Sequence, residues 1–277
     1  MRFRFLAPDH HSQSTPAIQL GKGDANFSTR KRGVLENLLA KYGVLTPLRH
    51  EEEAAFRSFA VTKRGYAAGA TIVAGEYDDP DYLYVVEEGR LFASSDLPSG
   101  DRAITRLYFA GDIVGTANIP FERATQTITV QSAAVVYAFP RDNLIEVFTR
   151  LPRVAAIFYT FAALENAILN DRLVSVGRMR GKARLASLIL EIAARRNLTR
   201  SEPASAFPLG LTQSQIGDAI GLTEVQVNRL FRTLCDDGSI AHGGGNVEIL
   251  NWDRLCEIGH FHDRYDDLDL DWFDHKL

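Results

Sequence analysis

Thiols are nearly missing from this 277-residue chain: Cys235 and Cys256 are the only cysteines, and none precedes position 235. That excludes a disulfide framework and a thiolate-held zinc or iron–sulfur centre. Long hydrophobic runs are also lacking. The longest uncharged apolar stretch, Val154 to Leu164, falls short of the roughly 20 residues a bilayer span needs, and MRFRFLAPDHHSQSTP has no continuous apolar core of a signal peptide. A cytoplasmic protein without a membrane partner is expected. Positive charge is not in excess either. The net charge is -4, so any phosphate affinity has to come from a local basic face. Ser-His-Asp order, HExxH, a P-loop and GxSxG are all absent, which leaves an enzyme without support. What remains is a globular composition, 45% hydrophobic and 24% charged, and length enough for two domains.

Residues 1–32 are polar and interrupted by Pro8, Pro16, Gly21 and Gly23, and read as a flexible arm. From Gly33 the pattern is helical, with Leu35, Leu38 and Leu39 on one face and Glu51 to Glu53 opening a second helix. Between Gly69 and Pro140, short runs rich in β-branched and aromatic residues (TIVA, YLYVV, LFAS, AITRLYF, TITV, AVVYAF) alternate with glycines at 75, 89, 100, 111 and 115. This predicts an antiparallel barrel or sandwich with turns at those glycines. The helical period then returns. Val154, Ile157, Phe161, Leu164 and Ile168 form one stripe over more than four turns, which can dock on its own barrel, pair with a second copy, or both. Asp171 and Ser175 interrupt its continuation. A helix over Lys182 to Arg196 turns Leu185, Leu188, Ile189 and Ile192 inward, and Asn197 to Gly210, with Pro203 and Pro208, reads as a loop.

The stretch LTQSQIGDAIGLTEVQVNRLFRTL carries two capping boxes, Thr212 with Gln215 and Thr223 with Gln226. Gly221 between them suits the left-handed residue that ends a helix. Ile216, Ala219, Ile220, Val227, Leu230 and Leu234 face inward. Glu224, Val225, Gln226, Arg229 and Arg232 remain outside, a set able to read cytosine, a thymine methyl, adenine and guanine in the major groove. A plain helical hairpin completing a core has the same pattern. The following SIAHGGGNVEIL has two extended segments around Gly243 to Gly245, a hairpin placed as a wing, with His242 able to touch phosphate. The capping threonines and His242 complete the candidate DNA face.

In sum the chain resembles the bacterial regulators typified by the cyclic-AMP receptor protein and the fumarate–nitrate reduction regulator, the Crp/Fnr family. The residues that carry the resemblance are AGE (74–76), YLYVVEEG (82–89), FAGDIVG (109–115), ARLASLILEIA (183–193) and the two capped helices. It spans about Leu45 to Leu255 in family order. The resemblance implies an α+β fold with these parts: a cyclic-nucleotide-binding-like β-roll with flanking helices (33–150), a central dimerisation helix (151–180), a winged helix–turn–helix (181–258), and an acidic tail (259–277) outside the family pattern. It also implies a homodimer held through Ile157, Phe161, Leu164 and Ile168, a two-fold symmetric duplex DNA operator with Arg229 on guanine, and, in an activator, an RNA polymerase contact near Asn197 to Ala206. The solvated terminus is the expected state of the tail.

The departures concern the signal. Where cyclic-nucleotide members hold the ribose with Glu, this chain has Thr116. The phosphate arginine falls on Ala124, with Arg123 one place early, and the Thr-Ser pair that meets adenine becomes Leu169 and Asn170. No histidine lies between Glu51 and Met179 to ligate haem, leaving His10 and His11 on the arm, and no cofactor or metal is expected. The candidate effector pocket (Thr116, Asn118, Arg123, Thr125, Thr127, Leu164, Ile168 and Leu169) is neutral apart from Arg123 and suits a weakly polar effector other than cyclic AMP, or none. Two functions are weighed: a dimeric sequence-specific transcription regulator, and an effector-binding module whose C-terminal helices make protein contacts only.

Overall fold

The computed structural model describes residues 35–59, 62–198 and 206–274. The arm falls outside them, as does most of the loop expected to meet polymerase. Two short helices, α1 (Glu36–Leu45) and α2 (His50–Phe59), lead into the roll. Its strands are β1 (Thr62–Tyr66), β2 (Thr71–Val73), β3 (Tyr82–Asp96), β4 (Arg102–Tyr108), β5 (Ile113–Val114) and β6 (Thr127–Pro140). All pair antiparallel, in the order β1-β6-β3-β4, with β2 on β6 and β5 on β3. One expected turn, at Gly89, is not a turn: YLYVV and LFAS join into the 15-residue β3, just as TITV and AVVYAF, with no glycine between them, join into the 14-residue β6. Gly89 sits where the β3–β6 register shifts, at φ 86°, and a Cβ there would lie 2.4 Å from the Ala133 carbonyl oxygen. It is a bulge that bends a continuous strand around the roll. The polar strand β1 carries almost no apolar signal and was not visible to periodicity.

The roll's interior is filled by its own side chains, among them Tyr84, Val86, Leu91, Tyr108, Val114, Ile128, Val130 and Val136. After β6 come α3 (Asn143–Arg150) and the 27-residue α4 (Pro152–Arg178), with a proline in its first turn where no backbone donor is required. The apolar stripe of α4 faces its own chain. Val154 and Ile157 share a core with α1, α2 and the roll, Leu164 and Ile168 pack on Tyr265, and the half-buried Phe161 meets Tyr42 in a tilted contact, 4.2 Å between centroids.

The C-terminal half runs α5 (Gly181–Asn197), β7 (Ala206–Pro208), α6 (Gln213–Ile220), α7 (Glu224–Asp236), β8 (Ile240–Gly243), β9 (Asn246–Ile249) and α8 (Trp252–Gly259). Part of the expected loop thus forms β7, the edge of a three-stranded sheet β7-β9-β8. Pro208 fits at the end of an edge strand, where its missing donor costs nothing. This half does not hang free. Phe92, Ile104, Leu107 and Phe109 of the roll belong to one continuous core with Leu185, Ile189, Leu209, Ile216 and Phe231.

The tail is docked, contrary to the solvated terminus expected of its acidity. Arg264 makes a bidentate pair with Asp171 of α4 at 2.7 and 2.8 Å, which explains the acid that interrupts the stripe. Tyr265 is buried, and Phe273, on the closing turn α9 (Asp271–Asp274), enters the core of α1 and α2 beneath the Arg153 guanidinium. Trp272 meets Tyr159 edge-on at 6.3 Å. Apolar residues at 265, 268, 270 and 273 outweigh the charges between them because they share one side of the strap.

Candidate nucleic-acid interface and sensor core

Both capping boxes form as the spacing predicts. Thr212 accepts from the Gln215 amide at 3.1 Å and Thr223 from the Gln226 amide at 3.3 Å, each returned by the glutamine oxygen. Each pair satisfies two donors a helix start otherwise leaves open. Gly221, at φ 68°, ends α6 and turns the chain into α7. Closure of the corner depends on a residue the pattern did not single out. A Cβ on Gly217 would stand 2.3 Å from the Leu222 carbonyl oxygen, so the two helices approach as closely as they do only over glycine. Its signal in the sequence is a glycine inside a helical segment. Phe231, also unassigned by the pattern, is buried beside Val227 and Leu234.

Glu224, Val225, Gln226, Arg229 and Arg232 all lie on the exposed side of α7, together with Asn228. Val225 is 80% exposed, an apolar side chain with nothing of this chain against it. Arg229 and Arg232 have no side-chain partner among the described residues, whereas Gln226 spends its amide oxygen on Thr223. The wing is a two-residue hairpin with Gly244 and Gly245 at φ 59° and 78°, the backbone of a tight primed turn. His242 on β8 stacks on Phe231 at 4.1 Å, and burial holds its imidazole below the usual histidine range. That favours the neutral imidazole, which can still offer a hydrogen bond to phosphate.

A helix that presents two free guanidinium groups and a bare valine is followed by a glycine wing and carried on a docked β-roll. Residues 183–258 match the Crp-like helix-turn-helix domain and residues 63–150 the cyclic nucleotide-binding domain. The chain belongs to the Crp/Fnr family of transcription regulators. It is 27% identical over 184 residues to the transcriptional regulatory protein btr of Bordetella pertussis, covering 66% of this chain and 76% of that one. To the fumarate and nitrate reduction regulatory protein of Escherichia coli K12 it is 25% identical, over 66% and 73%. Among solved structures, FixK2 of Bradyrhizobium japonicum shares the fold with a TM-score of 0.64 at 24% identity, over 71% of this chain and 96% of that one. This Crp/Fnr protein is a DNA-binding transcription regulator and not an enzyme. Among the described residues no single helix is long and apolar enough to cross a membrane.

The expected effector pocket does not assemble. Arg123 lies on the surface, paired with Asp79 at 2.8 Å and donating to the Tyr77 carbonyl at 2.9 Å, while Ala124 beside it is buried. Asn118 is buried and accepts from the amide and hydroxyl of Thr125 at 3.0 and 2.8 Å, stapling the loop before β6. The Thr127 hydroxyl accepts from the Gly75 amide. Thr116 edges a cleft of only about 30 Å³ against α1 and α4, Leu164 and Ile168 face the tail, and Leu169 points out into solvent. These residues were grouped by family register, and the roll's own core occupies the space between them.

The expected dimer residues are mostly covered within the chain. Ile157, Leu164 and Ile168 are 1%, 5% and 9% exposed, and the half-buried Phe161 lies on Tyr42. The exposed face of α4 is another one: Tyr159, Ala162, Asn166, Leu169, Leu173 and Val176. Their spacing alternates three and four, the a/d pattern of a coiled-coil seam.

Between roll, α4 and α5 lies a buried ionic cluster that had no local signal, because its members come from separate elements. Asp112 binds Lys41 and, at 3.0 Å, Arg195. Arg195 also binds Glu165 at 2.8 Å, Arg106 meets Glu165 at 3.1 Å, and Arg172 pairs with Glu191 at 2.7 Å. Burial alone pushes Asp112 up, but Lys41 and Arg195 outweigh it and hold the carboxyl below its usual range. Arg102 of β4 grips Asp218 of α6 at 2.9 and 2.6 Å, and Arg90 of β3 donates to the carbonyls of Pro208 and Leu209. The helix–turn–helix and the segment that leads into it are thereby tied to the sensor domain.

Proposed function

We propose that the protein acts as a homodimer on a two-fold symmetric operator, with α7 of each copy in the major groove and Arg229 on a guanine. The exposed side of α7, where Arg229 and Arg232 have no side-chain partner among the described residues, carries this reading. Val225 then packs on a thymine methyl and Glu224 and Arg232 read or position beside it, and the wing's glycine amides meet the backbone. The two copies pair along Tyr159, Ala162, Asn166, Leu169, Leu173 and Val176, where Asn166 at an a position sets the register of an otherwise apolar seam. A dimer of this kind asks for half-sites about 34–36 Å apart.

The sensor answers to something other than cyclic AMP. A cyclic phosphate in the roll needs a buried positive partner; Ala124 supplies none, Arg123 is held outside by Asp79, and Thr116 offers the ribose no carboxylate. If the protein activates, its polymerase contact falls in Asn197 to Ala206, most of which lies outside the described residues.

Selection from a random duplex library tests the reading. The wild type should return a palindrome with a guanine that Arg229→Ala no longer prefers, at a cost of about 1–3 kcal/mol per bidentate contact. An unchanged palindrome removes Arg229 from base reading.

A further inference from the structure

Beneath the tail strap lies a cavity of about 270 Å³, between the second half of α4, α5 and residues 260–265. It is not the roll interior where this family's effector is expected, and two of its three walls fall outside residues 63–150 and 183–258. One side is apolar: Ile168, Val174, Ala194 and Phe261. The other carries Arg195 and Tyr265, which are 4% and 7% exposed. Each of these two has a buried atom with no hydrogen-bond partner, Nε of Arg195 and the hydroxyl of Tyr265. Two idle donors beside one cavity are unusual, since a buried polar group left unsatisfied costs about 1–3 kcal/mol.

The charge balance points the same way. In the ion-paired cluster that Arg195 belongs to, the cations are Lys41, Arg106, Arg172 and Arg195 and the anions Asp112, Glu165 and Glu191. One positive charge is left over in a largely buried region, where screening by water is weak. Asp171 is committed to Arg264, and Asp263, toward the solvent side, accepts from the Tyr265 amide at 3.0 Å, with no ion pair to the cluster.

We propose that this cavity binds a small organic monocarboxylate, its oxygens accepting from Arg195 Nε–H and the Tyr265 hydroxyl and its apolar body lying on Ile168, Val174, Ala194 and Phe261. The ligand supplies the missing negative charge and the missing acceptors together. Because a cavity of about 150 Å³ holds benzene, this one holds on the order of ten non-hydrogen atoms, the size of phenylacetate or hexanoate. Arg195 belongs to α5, Tyr265 to the tail, and their partners to the roll and α4, so occupancy tightens the junction that sets the position of α7. That last consequence rests on the regulator reading; the binding itself does not.

The test is therefore made without DNA, by thermal unfolding and titration calorimetry on the full chain. Phenylacetate and hexanoate at about 10 mM should raise the melting temperature by several degrees, while phenylacetamide, of the same shape without charge, should not. Tyr265→Phe keeps the ring and its packing, so the ligand-free melting temperature should hold or rise, and carboxylate affinity should fall at least about tenfold, as the loss of one charge-assisted bond requires. Val174→Phe fills the cavity from its exposed side and should abolish the shift with the hydroxyl intact. No shift with either acid, an equal shift with the amide, or affinity unaffected by both variants would overturn the assignment.

Discussion

Replacing Leu173 by aspartate should split the protein into folded monomers. Leu173 is 69% exposed on the isolated chain. Full burial of a leucine contributes about 2 kcal/mol, so covering the remaining two-thirds in a seam is worth roughly 1.3 kcal/mol per copy and about 2.5 kcal/mol per dimer. Two carboxylates facing each other across the axis at about 6 Å add repulsion near 2.8 kcal/mol at an effective dielectric of about 20. The sum, about 5 kcal/mol, weakens association on the order of several thousand-fold. Sedimentation at about 1 μM, where a nanomolar dimer is intact, should then report monomers. The far-ultraviolet circular dichroism and melting of each protomer should hardly change, because an exposed substitution usually stays within about 0.5 kcal/mol. Operator binding should fall with the dimer, as two half-sites need two recognition helices. Ile168→Asp is the contrast. At 9% exposure, beside Leu164 and Tyr265, its carboxylate is buried inside the protomer, and misfolding rather than clean dissociation is expected. A Leu173→Asp protein that remains dimeric, or an Ile168→Asp protein that is a well-folded monomer, refutes the assignment of the seam to the outer face of α4.

Gly217→Ala should destabilise the helix–turn–helix by about 3 kcal/mol through overpacking against the Leu222 carbonyl, read as a lowered urea midpoint; an unshifted midpoint shows that the corner relaxes freely. Millimolar cyclic AMP should leave the melting temperature where it is, and a rise of several degrees with tighter operator binding would return Arg123 to the pocket. Asp112 has its native pKa depressed below 3.8, so its contribution is complete above that value and is lost as the pH falls through the native pKa; Asp112→Asn should cost about 3 kcal/mol at neutral pH and flatten the acid limb of a stability–pH curve. Burial raises Tyr42, Tyr84, Tyr108, Tyr137 and Tyr265, with Tyr84 pushed to about 12. Each favours the folded state below the ordinary tyrosine pKa and ceases to as the pH rises through the native value, so these five of the nine tyrosines should ionise late in an absorbance titration.

Local signals carried the C-terminal half a long way. Capping boxes, a terminating glycine and a three-glycine hairpin act over three or four residues, so the two helices, the wing and the outward set on α7 could be read from the chain alone. Strand character in the roll was legible for the same reason, as runs of β-branched and aromatic residues, and so were the departures at Thr116, Ala124 and Leu169 once the family register was in hand. Periodicity found the stripe on α4 but not its partner. An apolar face reports that it will be covered, not by what, and the hydrophobic effect has no direction. Only the packed chain shows that Tyr42, Tyr265 and the roll's core cover it, while Leu169, Leu173 and Val176 stay exposed on the other side of α4. The tail is the same case: its charges suggested solvent, but Tyr265, Leu268, Leu270 and Phe273 find apolar surface on elements a hundred or more residues away. The ionic cluster and its cavity are the furthest from the sequence. Lys41, Arg106, Asp112, Glu165 and Arg195 are ordinary surface residues by composition. They become a buried, unequal set of charges only where roll, central helix and DNA-binding domain meet.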